Sequence, residues 1–118
     1  MTPLTSLLII LIALLHLYFL VLEMFLWDKP FGLRVFHQSL EAARASKPLA
    51  MNQGLYNGFL AAGLVWGLIL GEEGIAVKVF FLACVVVAGV FGGLTVSRRI
   101  LLIQALPGAA ALALVLFS

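Results

Sequence analysis

Seven side chains that can bind a ligand or move a proton lie within otherwise apolar segments. A carboxylate and an imidazole belong to the first segment, three amides and a phenol to the second, and one amide to the fourth. These residues are His16, Glu23, Asn52, Gln53, Tyr56, Asn57 and Gln104. Neutral donors and acceptors around one carboxylate suit recognition of a small polar or amphipathic molecule. In an apolar setting such a cluster predicts a binding site.

The same side chains would also suit an acid–base isomerisation. Glu23 or His16 would move the proton, and Tyr56 or an amide would polarise an oxygen. The sequence has no Ser-His-Asp order, glycine-rich phosphate loop or CxxC pair, so no catalytic residue is assigned. One histidine and one glutamate, too far apart to share an ion, predict no metal site. His16 could be an axial haem ligand, but a single histidine leaves the cofactor unknown.

The composition is that of an integral membrane protein. Of 118 residues, 64% are hydrophobic and 10% charged, and the mean hydropathy is +1.22. A soluble domain of this size needs more charge to cover its surface. No basic run is interleaved with aromatic residues, which excludes a nucleic-acid partner. The single cysteine, Cys84, excludes an internal disulfide. The first apolar run lacks a basic start and continues through Trp27, so it is predicted to be retained rather than cleaved.

Four apolar segments have the length of membrane-spanning helices, which is about 20 residues. They are Leu4–Trp27, Leu49–Leu70, Ile75–Thr95 and Ile100–Phe117. The segments are continuous rather than alternating, which argues against barrel strands. The sequence therefore predicts an all-α polytopic membrane protein, a bundle of four transmembrane helices forming a single domain over residues 1–118. In the last segment, the Pro107-Gly108 pair should kink or loosen the helix.

The charges of the connections predict the orientation in the membrane. Basic residues concentrate in the first connection and the third: Lys29, Arg34, Arg44 and Lys47, then Arg98 and Arg99. The middle connection carries Glu72 and Glu73, with only Lys78 nearby. Because basic flanks stay cytoplasmic, both termini are predicted to lie outside.

The first connection is long enough to contain a helix of its own. Apolar residues recur there at helical spacing, at Leu33, Phe36, Leu40 and Ala43. This pattern predicts a short amphipathic helix on the cytoplasmic membrane surface, with an ordinary solvated loop as the alternative. Ser46 is a candidate N-cap and Pro48 suits a first helical turn, so the second span should begin there.

This topology places all seven polar residues in the cytoplasmic half of the membrane. Glu23 lies about one turn from the cytoplasmic end of the first helix. His16 lies about 20° around that helix and ~10 Å deeper. The polar residues of the second and fourth helices lie at similar depth, since both helices enter from the cytoplasm. The alternative is that Glu23 pairs with a cation near the surface, and that the amides join helices at about 1 kcal/mol each.

Glycines recur at a spacing that allows close helix packing. The pairs are Gly54 with Gly58, Gly63 with Gly67, and Gly89 with Gly93. Small residues four positions apart let helix backbones approach closely. These pairs favour packing within the chain over a dimer motif.

Part of the sequence resembles a known family. The residues are His16, Leu22-Glu23-Met24-Phe25, Trp27 and the run Asn52-Gln53-Gly54-Leu55-Tyr56-Asn57-Gly58-Phe59-Leu60-Ala61. This pattern resembles the small bacterial membrane proteins grouped as the domain of unknown function 1304 family. The similarity covers nearly the whole chain, and the run from Asn52 to Gly58 is its most specific part. The resemblance implies a four-helix protein of the bacterial inner membrane and carries no established activity.

Two further small membrane families offer partial parallels, and three alternatives stay open. The small multidrug-resistance transporters have a carboxylate on the first helix, as Glu23 is here, but its flanking residues differ from theirs. The styrene oxide isomerases, which use haem, are similar in architecture only. The leading prediction is an intramembrane site for a small molecule. The alternatives are a proton-coupled transporter working as a homo-oligomer, a small isomerase-type enzyme, and a structural bundle without a ligand.

Overall fold

A computed structural model describes all 118 residues and contains helices but no strand. The five α-helices are α1 (Pro3–Met24), α2 (Pro30–Phe36), α3 (Leu40–Ile69), α4 (Ile75–Thr95) and α5 (Leu106–Leu116). A 3₁₀ turn (Gly71–Gly74) precedes α4, and a π-helical turn (Leu101–Ala105) precedes α5. The predicted all-helical class is confirmed.

Two helical segments are long and apolar enough to cross a membrane. They are Pro3–Met24, with a mean hydropathy of 2.6, and Gly71–Thr95, with 2.5. Only 28% of the apolar window of each lies buried within the chain. A core helix of a soluble protein would be mostly buried, so both helices present apolar surface that the chain itself does not cover. The arrangement of four spans stays a prediction.

The connection after α1 differs from its predicted form. Helix α1 ends at Met24 rather than Trp27. Helix α2 has seven residues, and Pro30 is the first of them. It ends because His37 adopts a left-handed conformation, with φ 51°. The predicted amphipathic helix is therefore divided, and its second half belongs to α3.

Helix α3 begins nearer the N-terminus than the sequence predicts. Its cap is Ser39, whose Oγ accepts a hydrogen bond from the Ala42 N–H at 3.1 Å. Ser46 is not the N-cap, because it lies inside the helix and donates to the Ala42 carbonyl at 2.9 Å. Pro48 also lies inside the helix. It is tolerated there although it cannot donate to the carbonyl four residues earlier.

The residues divide into two compact units, Leu15–Phe59 and Met1–Leu14 with Leu60–Ser118. The second of these holds the main apolar core. Its buried members are Ile9, Ile12, Ala13, Ala61, Leu64, Leu82, Val85, Ala111 and Val115. The first unit contains the later half of α1, α2 and the first half of α3, together with most of the predicted site residues. A single domain stays a prediction.

The π-helical turn accounts for the predicted loosening near Pro107. The Leu106 N–H donates to the Leu101 carbonyl, five residues back instead of four. Proline at a helix interior clashes with the carbonyl four residues earlier, here that of Ile103. The wider turn lets the chain continue as a helix through this position.

Candidate functional site

A hydrogen bond joins the only carboxylate of α1 to an amide of α3. Asn57 Nδ2 donates to Glu23 Oε1 at 2.6 Å. The same nitrogen donates to the Gln53 carbonyl at 3.3 Å, one turn earlier in α3. The amide orientation follows from chemistry, because turning Asn57 Oδ1 toward the carboxylate would place two acceptors together. Of the predicted cluster, the structure joins the side chains of Glu23 and Asn57, and Gln53 takes part only through its backbone carbonyl.

The packing of α1 against α3 makes this short contact possible. A Cβ atom added to Gly54 would lie 2.6 Å from Met24 Cγ and 3.1 Å from Glu23 Cβ. A Cβ atom added to Gly58 would lie 2.8 Å from Leu20 Cδ1. Glycine at both positions lets α3 approach the end of α1 closely enough for the Glu23 and Asn57 side chains to meet.

The Glu23–Asn57 contact is partly buried and carries no ion pair. Asn57 is only 6% exposed, and Glu23 is half-buried. No lysine or arginine reaches Glu23, and the chain's two ion pairs lie elsewhere. Lys29 therefore does not neutralise Glu23, although the sequence left pairing with a cation open. The contact consists of one acidic group held by one amide.

The Asn57 amide is already fully used as a donor. Its Nδ2 carries two hydrogens, and these serve Glu23 Oε1 and the Gln53 carbonyl. Asn57 Oδ1 and Glu23 Oε2 remain as acceptors. An incoming molecule would therefore meet acceptor oxygens rather than donors at this point of the structure.

The other polar residues of α3 lie on its outer surface. Asn52, Gln53 and Tyr56 are all exposed, and half of the Tyr56 surface is accessible. The Tyr56 ring packs beside Phe59 with 6.0 Å between ring centroids. Around the helix, Gln53 lies about 40° from Asn57, and Tyr56 about 100°. The polar surface is thus continuous from the Glu23–Asn57 contact to the exposed face of α3.

Two predicted site residues take no part in this contact. His16 is fully buried, and its ring packs edge-on against Phe19 with 5.5 Å between centroids. Gln104 is half-buried in the π-helical turn, within the unit of residues 1–14 and 60–118. A site role for His16 and Gln104 stays a prediction.

The first unit contains further polar contacts beyond the end of α1. Trp27 Nε1 donates to Ser46 Oγ at 3.0 Å, and Lys47 Nζ donates to Asp28 Oδ2 at 3.1 Å. The hydrogen bond from the Lys47 ammonium lowers the pKa of Asp28 below its ordinary value. These contacts fix the connection between α1 and α3.

One buried lysine was not assigned a role from the sequence. Lys78 is 1% exposed, and its Nζ donates to the Gly71 carbonyl at 2.7 Å. The lysine thereby satisfies a carbonyl at the turn that joins α3 to α4. The sequence signal for this contact is the position of Lys78, which lies one turn into an apolar segment and seven residues after Gly71. This role is structural.

A groove of about 440 Å³ is lined by residues close to the two ends of the chain. Its lining is Thr2, Thr5, Ala110, Ala113, Leu114, Phe117 and Ser118. None of the seven predicted site residues lines it. The groove therefore gives no support to their assignment.

Comparisons with known proteins give a family and no activity. The sequence profile described as "Protein of unknown function (DUF1304)" matches residues 10–116. The chain is 32% identical over 117 residues to the "Uncharacterized protein YpaA" of Lactococcus lactis subsp. lactis (strain IL1403). That alignment covers 98% of this chain and 97% of the relative. No solved structure matches the chain.

Proposed function

The chain belongs to the DUF1304 family, and from this premise we propose that it is an integral membrane protein with a small-molecule site. The site is centred on Glu23 and Asn57 and binds a molecule that donates hydrogen bonds, such as a protonated amine. The observation that carries this proposal is the Glu23–Asn57 hydrogen bond of 2.6 Å, which consumes the amide donors and leaves acceptors.

Membrane insertion is supported by the apolar surface that the chain leaves uncovered. Large apolar side chains are exposed along α1, α3, α4 and α5, among them Leu4, Ile69, Val87, Leu94 and Leu106. In water, surface of this kind would drive aggregation, whereas a bilayer solvates it. The family resemblance supports four spans in the bacterial inner, or plasma, membrane. The positions of the basic residues support termini on the outside.

The ligand class follows from the atoms that remain unpaired at the contact. Glu23 Oε2 and Asn57 Oδ1 can accept, and both hydrogens of the Asn57 amide are already used. A carboxylate without a cationic neighbour attracts a cation most strongly in a medium of low dielectric constant. An ammonium group supplies charge and up to three donors together, so it suits this site better than an anion or a pure acceptor.

A matched pair of probes tests this assignment. Benzylammonium and benzyltrimethylammonium carry the same charge, but only the first has N–H donors. Calorimetric titration of the protein in mild detergent should show benzylammonium binding at least tenfold more tightly. Glu23→Gln should weaken benzylammonium binding at least tenfold, whereas the exposed Glu41→Gln should leave it unchanged. Equal binding of both probes, or an unaffected Glu23→Gln protein, would contradict the proposal.

Transport is a second candidate, and the absence of an ion partner at Glu23 favours it. A carboxyl group bound only by an amide can exchange a proton for a cation, which is the requirement for proton-coupled movement of an amine. Protein-free liposomes with a pH gradient take up only the neutral amine, so proteoliposomes with the same gradient should take up benzylammonium faster, and Glu23→Gln should reduce the rate to the protein-free value. Binding without any protein-dependent increase in rate would leave the binding site and contradict the transport function.

A further inference from the structure

The exposed polar face of α3 has no partner within the chain. Asn52 and Tyr56 are exposed, and neither side chain is hydrogen-bonded to another residue. Lys47 is the last charged residue of α3, so Asn52 lies about 7.5 Å and Tyr56 about 13.5 Å further along the helix axis. With Lys47 at the membrane surface, as the proposed function requires, both residues lie at the depth of the hydrocarbon. Lipid tails cannot satisfy an amide or a phenol, so this face requires a polar partner.

We infer that the partner is a second copy of this chain, which packs the α3 face of Asn52, Gln53 and Tyr56 against the same face across a two-fold axis. The inference rests on the membrane insertion in the proposed function.

The chemistry of this face is self-complementary. An amide and a phenol each contain both a donor and an acceptor, so each can pair with an identical group. A two-fold interface brings the same surface patch together from both subunits. All copies insert in the same direction, so the axis is normal to the membrane and the two α3 helices are parallel. Asn52 then meets Asn52 of the second copy, an arrangement that a buried Asn pair favours in parallel helices.

This interface would also border the candidate ligand site. Gln53 lies between Asn57 and Tyr56 around α3, so the polar face reaches the Glu23–Asn57 contact. Glu23 is only half-buried in the single chain. A second copy on this face would cover the exposed side of the contact and reduce its access to lipid.

Disulfide cross-linking in membranes tests the interface directly. In a Cys84→Ala background, Asn52→Cys should give an oxidised dimer of twice the 12.7 kDa chain mass. Formation requires Cα atoms within about 7 Å, which Asn52 reaches across a two-fold axis. The matched control is Val87→Cys, a position 68% exposed on α4. The yield at position 52 should exceed that at position 87 at least fivefold, and equal yields would overturn the inference.

The cross-linking is done on carbonate-washed membranes so that two failures can be told apart. Loss of the chain from washed membranes would overturn the proposed membrane insertion and the dimer with it. Retention of the chain without a position-52 cross-link would overturn the dimer alone.

A second measurement removes the polar atoms from the face and leaves its size nearly unchanged. Asn52→Leu combined with Tyr56→Phe should weaken dimerisation in mild detergent at least tenfold, as measured by sedimentation over a dilution series. The control is Tyr18→Phe, which alters an exposed tyrosine of α1 and should leave dimerisation unchanged. Helix content measured by circular dichroism establishes that each variant is folded. A folded double variant with wild-type dimer affinity would overturn the inference.

Discussion

Two helix contacts in this protein use glycine for close packing, but only one of them contains a carboxylate. In residues 60–118, a Cβ on Gly89 would lie 2.5 Å from the Ala105 nitrogen, and a Cβ on Gly93 would overlap the Leu101 side chain. In residues 15–59, Gly54 packs against Glu23 and Met24, and Asn57 bonds to Glu23 alongside. Close packing at Gly89 and Gly93 is thus achieved without an acidic side chain. Packing alone does not explain why the other region contains a carboxylate.

The energies of hydrogen bonding and of placing a carboxylate in hydrocarbon support the same conclusion. A hydrogen bond between helices in a membrane stabilises by about 1 kcal/mol. Placing an acidic side chain within the hydrocarbon costs about 3 kcal/mol near its centre and less toward the surface. On the proposed placement in the membrane, the Glu23–Asn57 pair therefore gives little or no net stability, which supports the proposed role in binding. Three changes test the comparison, in order of decreasing effect.

A methyl group added at each of the two contacts should lower the free energy of unfolding by a different amount. Gly89→Ala should lower the free energy of unfolding by about 3 kcal/mol, because its Cβ would meet the Ala105 backbone, which cannot move aside. Gly54→Ala should cost about 1 to 2 kcal/mol, because its nearest neighbour is the flexible Met24 side chain. Denaturant titration in detergent micelles measures both.

The control for this pair is Gly92→Ala, where the nearest atom is Ile100 Cγ2 at 3.2 Å. Its stability should change by less than about 0.5 kcal/mol. A Gly54→Ala loss as large as that of Gly89→Ala would show that the two contacts are equally rigid.

Removal of one polar partner should cost more than removal of both. Asn57→Leu leaves Glu23 without its hydrogen bond and should destabilise the fold by about 1 to 2 kcal/mol. Combining it with Glu23→Met should restore stability to near the wild-type value, since an apolar pair needs no partner. Thermal unfolding followed by circular dichroism measures all three variants.

The double variant also separates function from structure. It should remain as stable as the wild type and should not bind benzylammonium. A double variant less stable than Asn57→Leu alone would favour the structural alternative, in which the pair holds the helices together.

The smallest effect should come from the ion pair beyond α1. The hydrogen bond from Lys47 lowers the pKa of Asp28 in the folded chain, so this contact stabilises at neutral pH. The contribution is present above about pH 4, the pKa of aspartate in the unfolded chain. It is lost as the pH falls through the lower pKa that Asp28 has in the folded chain. Lys47→Met should therefore reduce the loss of thermal stability between pH 7 and pH 3. The difference should be small, because Lys47 is partly exposed to water. Identical pH profiles for the variant and the wild type would rule out this contribution.

The sequence by itself determined the helical class, the family and most of the helix positions. Long apolar runs exclude strands, and α4 spans the predicted Ile75–Thr95. The expected disturbance near Pro107 is present as a π-helical turn, because proline always removes one hydrogen-bond donor. These features depend on composition and local chemistry, which are written in the sequence.

The start of α3 could not be obtained from local signals. Ser39 and Ser46 are both acceptable caps, and Pro48 suits a first turn. In the structure Ser39 is the cap, and Ser46 lies inside the helix, where it accepts the Trp27 N–H from 19 residues away. A capping pattern cannot record a contact of that sequence separation.

Tertiary structure alone decided which polar residues meet. The sequence predicts that Asn52, Gln53, Tyr56 and Asn57 all lie in the cytoplasmic half of the membrane, but only Asn57 is directed at Glu23. Helical spacing gives the angle between two side chains of one helix, not which side faces a neighbour. That side was set by Gly54 and Gly58, whose missing side chains let α1 approach on one face of α3. The polar face of Asn52 and Tyr56 is exposed because it lies on the opposite side of α3 from these two glycines.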